Sequence, residues 1–324
     1  MKMRKSSYHI HEQDLLLLIT YLKHGYSLQE ALPYFPKAYK YMKQPLEMGV
    51  AFEQILYQHL PHSLKSDFNL FQSKMPLELA LEATIERKAI HKQLLTELRN
   101  KSLYPVFLFG LAFILLQVFS RFILPLMLSS FTMIEGSSSL IQYVWFMDIV
   151  CNFVVIILFS LFIILLFFMH PFLSKYLLLK GAMFLPIIRT YLSFMLVTCM
   201  LPLISNGIST FDIIIHLQTS KTPWMQTIAQ QMHRQLLEGD AYEEVFSKLH
   251  YFDDDFIQCI HRGIALSNLE DMLILYLKLA KQKLMNAMRN LTFFIQIVAY
   301  VFIAFLVLFV FQIMLVPLSI LETI

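Results

Sequence analysis

The side chains able to do chemistry are few and poorly grouped. The 324-residue sequence has 8 glycines and no Gly-x4-Gly-Lys-Ser/Thr stretch, so no loop is available to cradle the phosphates of a nucleotide. None of the 11 histidines forms a His-Glu-x-x-His pair. His59 and His62 stand three apart, but Pro61 between them spoils the helix that would make them joint metal ligands. Cys151, Cys199 and Cys259 lie far apart without Cys-x-x-Cys spacing and read as small buried hydrophobes. Asp148 and His170 flank an apolar run at opposite ends, about 33 Å apart if it is helical, too far to act as one catalytic pair. The expectation is a protein with no catalytic residues, no cofactor and no metal.

Two charge features remain as candidate partner contacts. Arg121 interrupts a long apolar run. A charge inside a membrane is costly, so it either snorkels to the outer interface or meets a polar group on a neighbouring subunit. Asp253, Asp254 and Asp255, with Asp240, Glu243 and Glu244 nearby, form an acidic patch that reads first as a solvated turn and helix start.

The elements that must position these residues are shaped by composition. Hydrophobic residues make up 57% of the chain and charged residues 15%, against about 25% charged in soluble domains. The uncharged runs fall in three places, which predicts three transmembrane helices at 103–128, 149–169 and 293–317. The stretch Ile187 to Leu203 carries Arg189, Pro202 and several hydroxyls and reads as an apolar helix of a water-facing domain. Lys2, Arg4 and Lys5 before Leu15 to Ile19 resemble a secretory signal superficially, but the apolar core is short and no cleavage site follows.

Of 26 Lys and Arg residues, 14 lie in 1–102, 11 in 170–292, and none in 122–148. The positive-inside rule therefore predicts cytoplasmic domains at 1–102 and 170–292, an external loop at 129–148 and an external tail at 318–324. Arg99, Lys101, Lys175, Lys180 and Arg289 mark the inner boundary. The net charge of +3 and the lack of a basic stretch with interleaved aromatics argue against nucleic-acid binding.

The two cytoplasmic regions echo one another in three ordered blocks. Gly25 to Glu30 matches Gly207 to Asp212, Gly49 to Leu56 matches Gly239 to Phe246, and Lys92 to Asn100 matches Gln282 to Asn290. In the first block Gly25 and Gly207 should close a helix, Ser27 and Ser209 should cap the next, and Glu30 and Asp212 should complete the cap. Pro125 pairs with Pro317 near the ends of the first and third spans. Period-two alternation is rare. The predicted fold is all-α: an integral membrane protein with two repeated cytoplasmic helical bundles and three transmembrane helices.

The glycine turns, Tyr104-Pro105 at the first span, Pro125 and Pro317, and Leu185-Pro186-Ile187-Ile188-Arg189 together resemble the type II secretion system F-domain family. These are the inner-membrane platform proteins of type IV pili, type II secretion systems and competence pseudopili. The resemblance covers nearly the whole chain, and the compact length and short N-terminus are closest to the Gram-positive competence form. It implies a multi-pass protein of the cytoplasmic membrane, N-terminus inside and C-terminus outside, which couples a hexameric assembly ATPase to insertion of pseudopilins and self-associates as a homo-oligomer. It also implies that the acidic patch helps dock the ATPase. The family's Gly-Glu motif is replaced here by Ser73-Lys74-Met75-Pro76 and by Gly263-Ile264-Ala265-Leu266-Ser267-Asn268, so that glutamate's role does not carry over. A transporter or exporter permease subunit is the alternative; it would use the few polar span residues, such as Gln117, Asn152, Gln296 and Gln312.

Overall fold

The computed structural model describes residues 10–123, 125–126, 145, 149, 179–182 and 185–321. Among these residues every regular element is helical, as the sequence predicts. Cys151, Asp148, His170, most of the predicted external loop and all of the predicted second span except Ile149 lie outside the described residues.

In chain order the helices are α1 (Glu12–Lys23), α2 (Leu28–Ala31), α3 (Pro36–Glu47), α4 (Phe52–His59), α5 (His62–Gln72), α6 (Leu77–Val118), α7 (Pro186–Ser205), α8 (Thr210–Leu217), α9 (Pro223–Leu237), α10 (Tyr242–Lys248), α11 (Asp254–Ala265) and α12 (Leu269–Leu321). A short 3₁₀ turn, Leu32–Tyr34, follows α2, and a π-helical turn, Phe119–Ile123, follows α6. Proline stands in the first turn of α3, α7 and α9, where its missing N–H would have no helical partner anyway.

Four of the helices end in the same way. After α1, Gly25 adopts φ +81°; its N–H reaches the carbonyl of Leu22 and that of Tyr26 reaches Tyr21. After α7, Gly207 adopts φ +77° and repeats both bonds, to Ile204 and from Ile208 to Leu203. Only a residue tolerant of left-handed backbone closes a helix this way without strain. Gly49 after α3 and Gly239 after α9 make the same pair of bonds.

Two compact units result. One comprises residues 1–94 and 175–284, the other residues 95–174 and 285–324. The core of the first unit is aliphatic and aromatic: Leu15, Leu56, Leu64 and Phe68 are completely buried in its first half. In its second half, Phe246, Phe252, Phe256 and Tyr276 form a chain of rings with successive centroids 5.3 to 5.5 Å apart. Each such side chain contributes about 1.5–3 kcal/mol of burial.

Helix α7 is, among the described residues, the one helix long and apolar enough by length and composition to cross a membrane. It is also 61% buried by protein over its most apolar stretch, with Leu192, Phe194, Leu196, Val197, Met200 and Leu203 inside the first unit. The first unit thus already provides an apolar environment for it.

In the second unit, the C-terminal part of α6 exposes Phe107, Ile114 and Leu115, and that of α12 exposes Phe293, Val301, Leu308 and Phe311. The sequence predicts that Pro317 closes the last span. The helix runs on past it to Leu321, because an internal proline removes one backbone bond without forcing a stop when the turns around it hold. Pro105 lies inside α6 in the same way.

Candidate functional site

The polar side chains of the first unit converge on a seam between its two stretches of sequence. Ala80, Thr84 and Arg87 recur at i, i+4 and i+7, which puts them on one face of α6. Ala80 and Thr84 are completely buried, and the Thr84 hydroxyl donates back to the Ala80 carbonyl at 2.6 Å. A face of small residues lets another helix approach closely. Arg87, with its side chain 10% exposed, pairs through Nη1 with Asp67 of α5 and donates Nε to the Thr198 hydroxyl of α7 at 3.4 Å.

One turn further along α6, Nε2 of His91 lies 3.4 Å from the Tyr191 hydroxyl of α7. The surrounding protein, and then the charge of Arg87, hold His91 below the usual histidine range. Burial pushes the Cys199 thiol up to about 11, so it stays a protonated core residue rather than a nucleophile.

The seam continues beyond Arg87. Nε2 of His216 on α8 lies 2.5 Å from the Leu70 carbonyl and 3.1 Å from the Ser73 hydroxyl. Lys221 donates to the Tyr57 hydroxyl at 3.1 Å. Residues 57–91 and 191–221 therefore share one polar interface built from partners a hundred or more positions apart.

The acidic run is more engaged than a solvated turn. Lys283 of α12 lies 3.3 Å from Asp253 and also pairs with Asp255. The Asp253 backbone N–H donates to the Ser193 hydroxyl at 2.9 Å. Asp254 is exposed beside them. Nearby, Nδ1 of His261 lies 3.0 Å from Glu243. Among the described residues no three His, Cys, Asp or Glu side chains are grouped to hold a metal ion.

The turn serines stand just before α8 and α2, with different chemistry in each. Ser209 accepts from the Asp212 N–H at 3.1 Å and donates its hydroxyl to the Asp212 carboxylate at 2.6 Å. At Ser27 the acid does the work: the Glu30 carboxylate accepts from both the Ser27 N–H and hydroxyl at 2.8 Å. Hydrogen bonds from the Ser27 backbone and hydroxyl hold Glu30 below the usual carboxylate range.

Arg189 sits in the first turn of α7 and donates Nε to the Ala182 carbonyl at 2.6 Å. Arg99 falls within α6, Arg289 is exposed on α12, and Pro125 is exposed just beyond the π-helical turn. Arg121 is exposed within that turn. In the second unit, the Tyr104 hydroxyl hydrogen-bonds that of Tyr300, which also receives Nε2 of Gln296 at 2.8 Å.

Sequence reasoning placed the turns and the acidic run but missed Asp67, Arg87, His91, Tyr191, Thr198 and His216. The available signal was a charge at position 87 on a helix face otherwise built of small residues.

Geometry thus defines an all-helical protein whose first unit is joined by a polar seam around the enclosed Arg87 and whose long helices carry exposed apolar surface. Residues 196–317, from within α7 to within α12, match the family described as Type II secretion system (T2SS), protein F. No curated protein matches the chain.

Proposed function

We propose that the chain is a membrane platform for assembling a pilus-like filament. The observation that carries this reading is the match of residues 196–317 to the secretion-system protein F family. The exposed apolar side chains along the C-terminal parts of α6 and α12 support two spans there, and the apolar run at 149–169 supplies the third. The Lys and Arg bias favours residues 1–102 and 170–292 as the cytoplasmic parts, read as two copies of one helical bundle.

In this reading the platform does no chemistry. A hexameric ATPase supplies the energy, pseudopilins are gathered at the spans, and the product is a competence pseudopilus or a related secretion filament. Asp254, beside the Lys283-bound Asp253 and Asp255, offers the ATPase an accessible carboxylate.

Deleting the protein should abolish filament assembly while prepilin processing continues; normal filaments in the deletion strain would overturn the proposal. Purification in mild detergent should bring down an ATPase and pilin-like proteins. Triple Asp→Ala substitution at 253–255 should weaken the ATPase interaction, and undiminished binding would remove the acidic run from that interface.

A further inference from the structure

The seam uses one face from each half of the first unit, which leaves the matching face of each half uncovered. The register set by Gly25 and Gly207 places Leu16, Leu17 and Tyr34 in the first half where Thr198, Cys199 and His216 stand in the second. The register set by Gly49 and Gly239, and kept at Lys92 and Gln282, places Ile257 and Leu277 where Asp67 and Arg87 stand.

The covered faces are polar and engaged: Thr198 meets Arg87, and His216 meets Leu70 and Ser73. Their counterparts are apolar: Leu16, Leu17 and Tyr34 are exposed, while Ile257 and Leu277 are half-buried. Leu17 is 53% exposed and Tyr34 63%. On α12, beside Leu277, Ile274 is 49% and Leu275 47% exposed, although the residues at their positions in the first half, Thr84 and Ile85, are buried.

We propose that a second copy of the chain covers these faces. The face of one chain formed by α1, through Leu16 and Leu17, and by Tyr34 of the 3₁₀ turn docks on the α11–α12 face of the next, through Ile257, Ile274, Leu275 and Leu277. The packing that α7 makes on α5 and α6 within one chain is thereby repeated between chains.

The exchange of chemistry selects the pairing. A Leu16–Leu17 face laid on Arg87 and Asp67 would bury an ion pair without the Thr198 hydroxyl, a cost that steers each face to its own partner. Apolar contacts carry the joint between chains. The contact is heterologous, so it propagates into a ring or an open chain rather than closing as a two-fold dimer. The inference rests on reading the two halves as copies of one bundle.

Cross-linking tests it on the full chain in detergent, with Cys151, Cys199 and Cys259 replaced by Ala. Two differently tagged chains, one Leu17→Cys and the other Leu277→Cys, are mixed and oxidised. A doubly tagged band is expected from this pair and not when Leu17→Cys is paired with Leu237→Cys, which places the thiol on the exposed surface of α9. A Leu17-to-Leu17 band would mean a symmetric dimer and overturn the proposal, as would no band or a thiol at 277 that captures only other proteins.

Leu275→Glu, with helix content checked by circular dichroism, should reduce the particle to a monomer by light scattering; an unchanged mass counts against the joint. These readouts need no filament. A cross-linked chain without filament assembly would thus refute the platform reading alone, and filaments without the cross-link would refute the joint alone.

Discussion

Arg87 and Thr198, 111 residues apart in the chain, meet side by side in the first unit, with the guanidinium held on its other edge by Asp67. A cation this enclosed is stable only while its partners remain. Arg87→Met should therefore destabilise the protein by about 3 kcal/mol, because Asp67 is left without a counter-charge. The double variant with Asp67→Leu should recover most of that loss. Denaturation curves in detergent micelles, followed by circular dichroism, measure both.

Two glycines should fail for opposite reasons. A Cβ on Gly207 would meet nothing within 4 Å, yet the backbone is left-handed at φ +77°. Gly207→Ala should cost about 1–2 kcal/mol, and Gly207→Asn less. A Cβ on Gly263 would lie 2.9 Å from the Cα of Leu269, so Gly263→Ala should cost about 1–3 kcal/mol through overpacking. There Asn should be worse than Ala, and thermal melts of the four variants read the reversal.

Ser267 closes α11 at φ +52°, with the bonds from Ser267 to Ile264 and from Asn268 to Gly263 that a glycine would make. Ser267→Gly should stabilise the protein by about 1 kcal/mol. A raised melting temperature for this substitution is the check.

His91 binds its proton less readily in the folded protein, because of its surroundings and then of Arg87. The unfolded chain therefore takes up the proton first as pH falls through about 6.5, the ordinary histidine value. The folded state loses stability from there down through the depressed folded value and gains it back as pH rises. His91→Gln should flatten this dependence between about pH 7 and 5, measured as the shift in denaturation midpoint with pH.

The helical architecture was legible because its signals are local: left-handed glycines, serine caps with acids three residues on, prolines at helix starts. The Ile187 to Leu203 stretch was readable as a domain helix because Arg189 and Pro202 interrupt it, and α7 is indeed mostly enclosed by protein. The seam was not legible. Asp67, Arg87 and Thr198 share no motif spacing, and their meeting depends on how α5, α6 and α7 pack. The acidic run opens α11, as the sequence suggests, but nothing in Asp253-Asp254-Asp255 announces that Lys283, 28 to 30 residues later, pairs with its two ends.

The distance along the chain between Arg87 and Thr198 also sets a schedule for synthesis. At about 5–20 residues per second, the ribosome needs on the order of 5–20 s to make the 111 residues that separate them. During that interval the first half exists without α7, and Asp67 and Arg87 have only each other and water. A charged pair tolerates that wait better than Ile257 and Leu277, at the matching positions of the second half, would, since an exposed apolar face invites aggregation. The face that is completed last within the chain is thus the one that remains soluble while the rest of the protein is made.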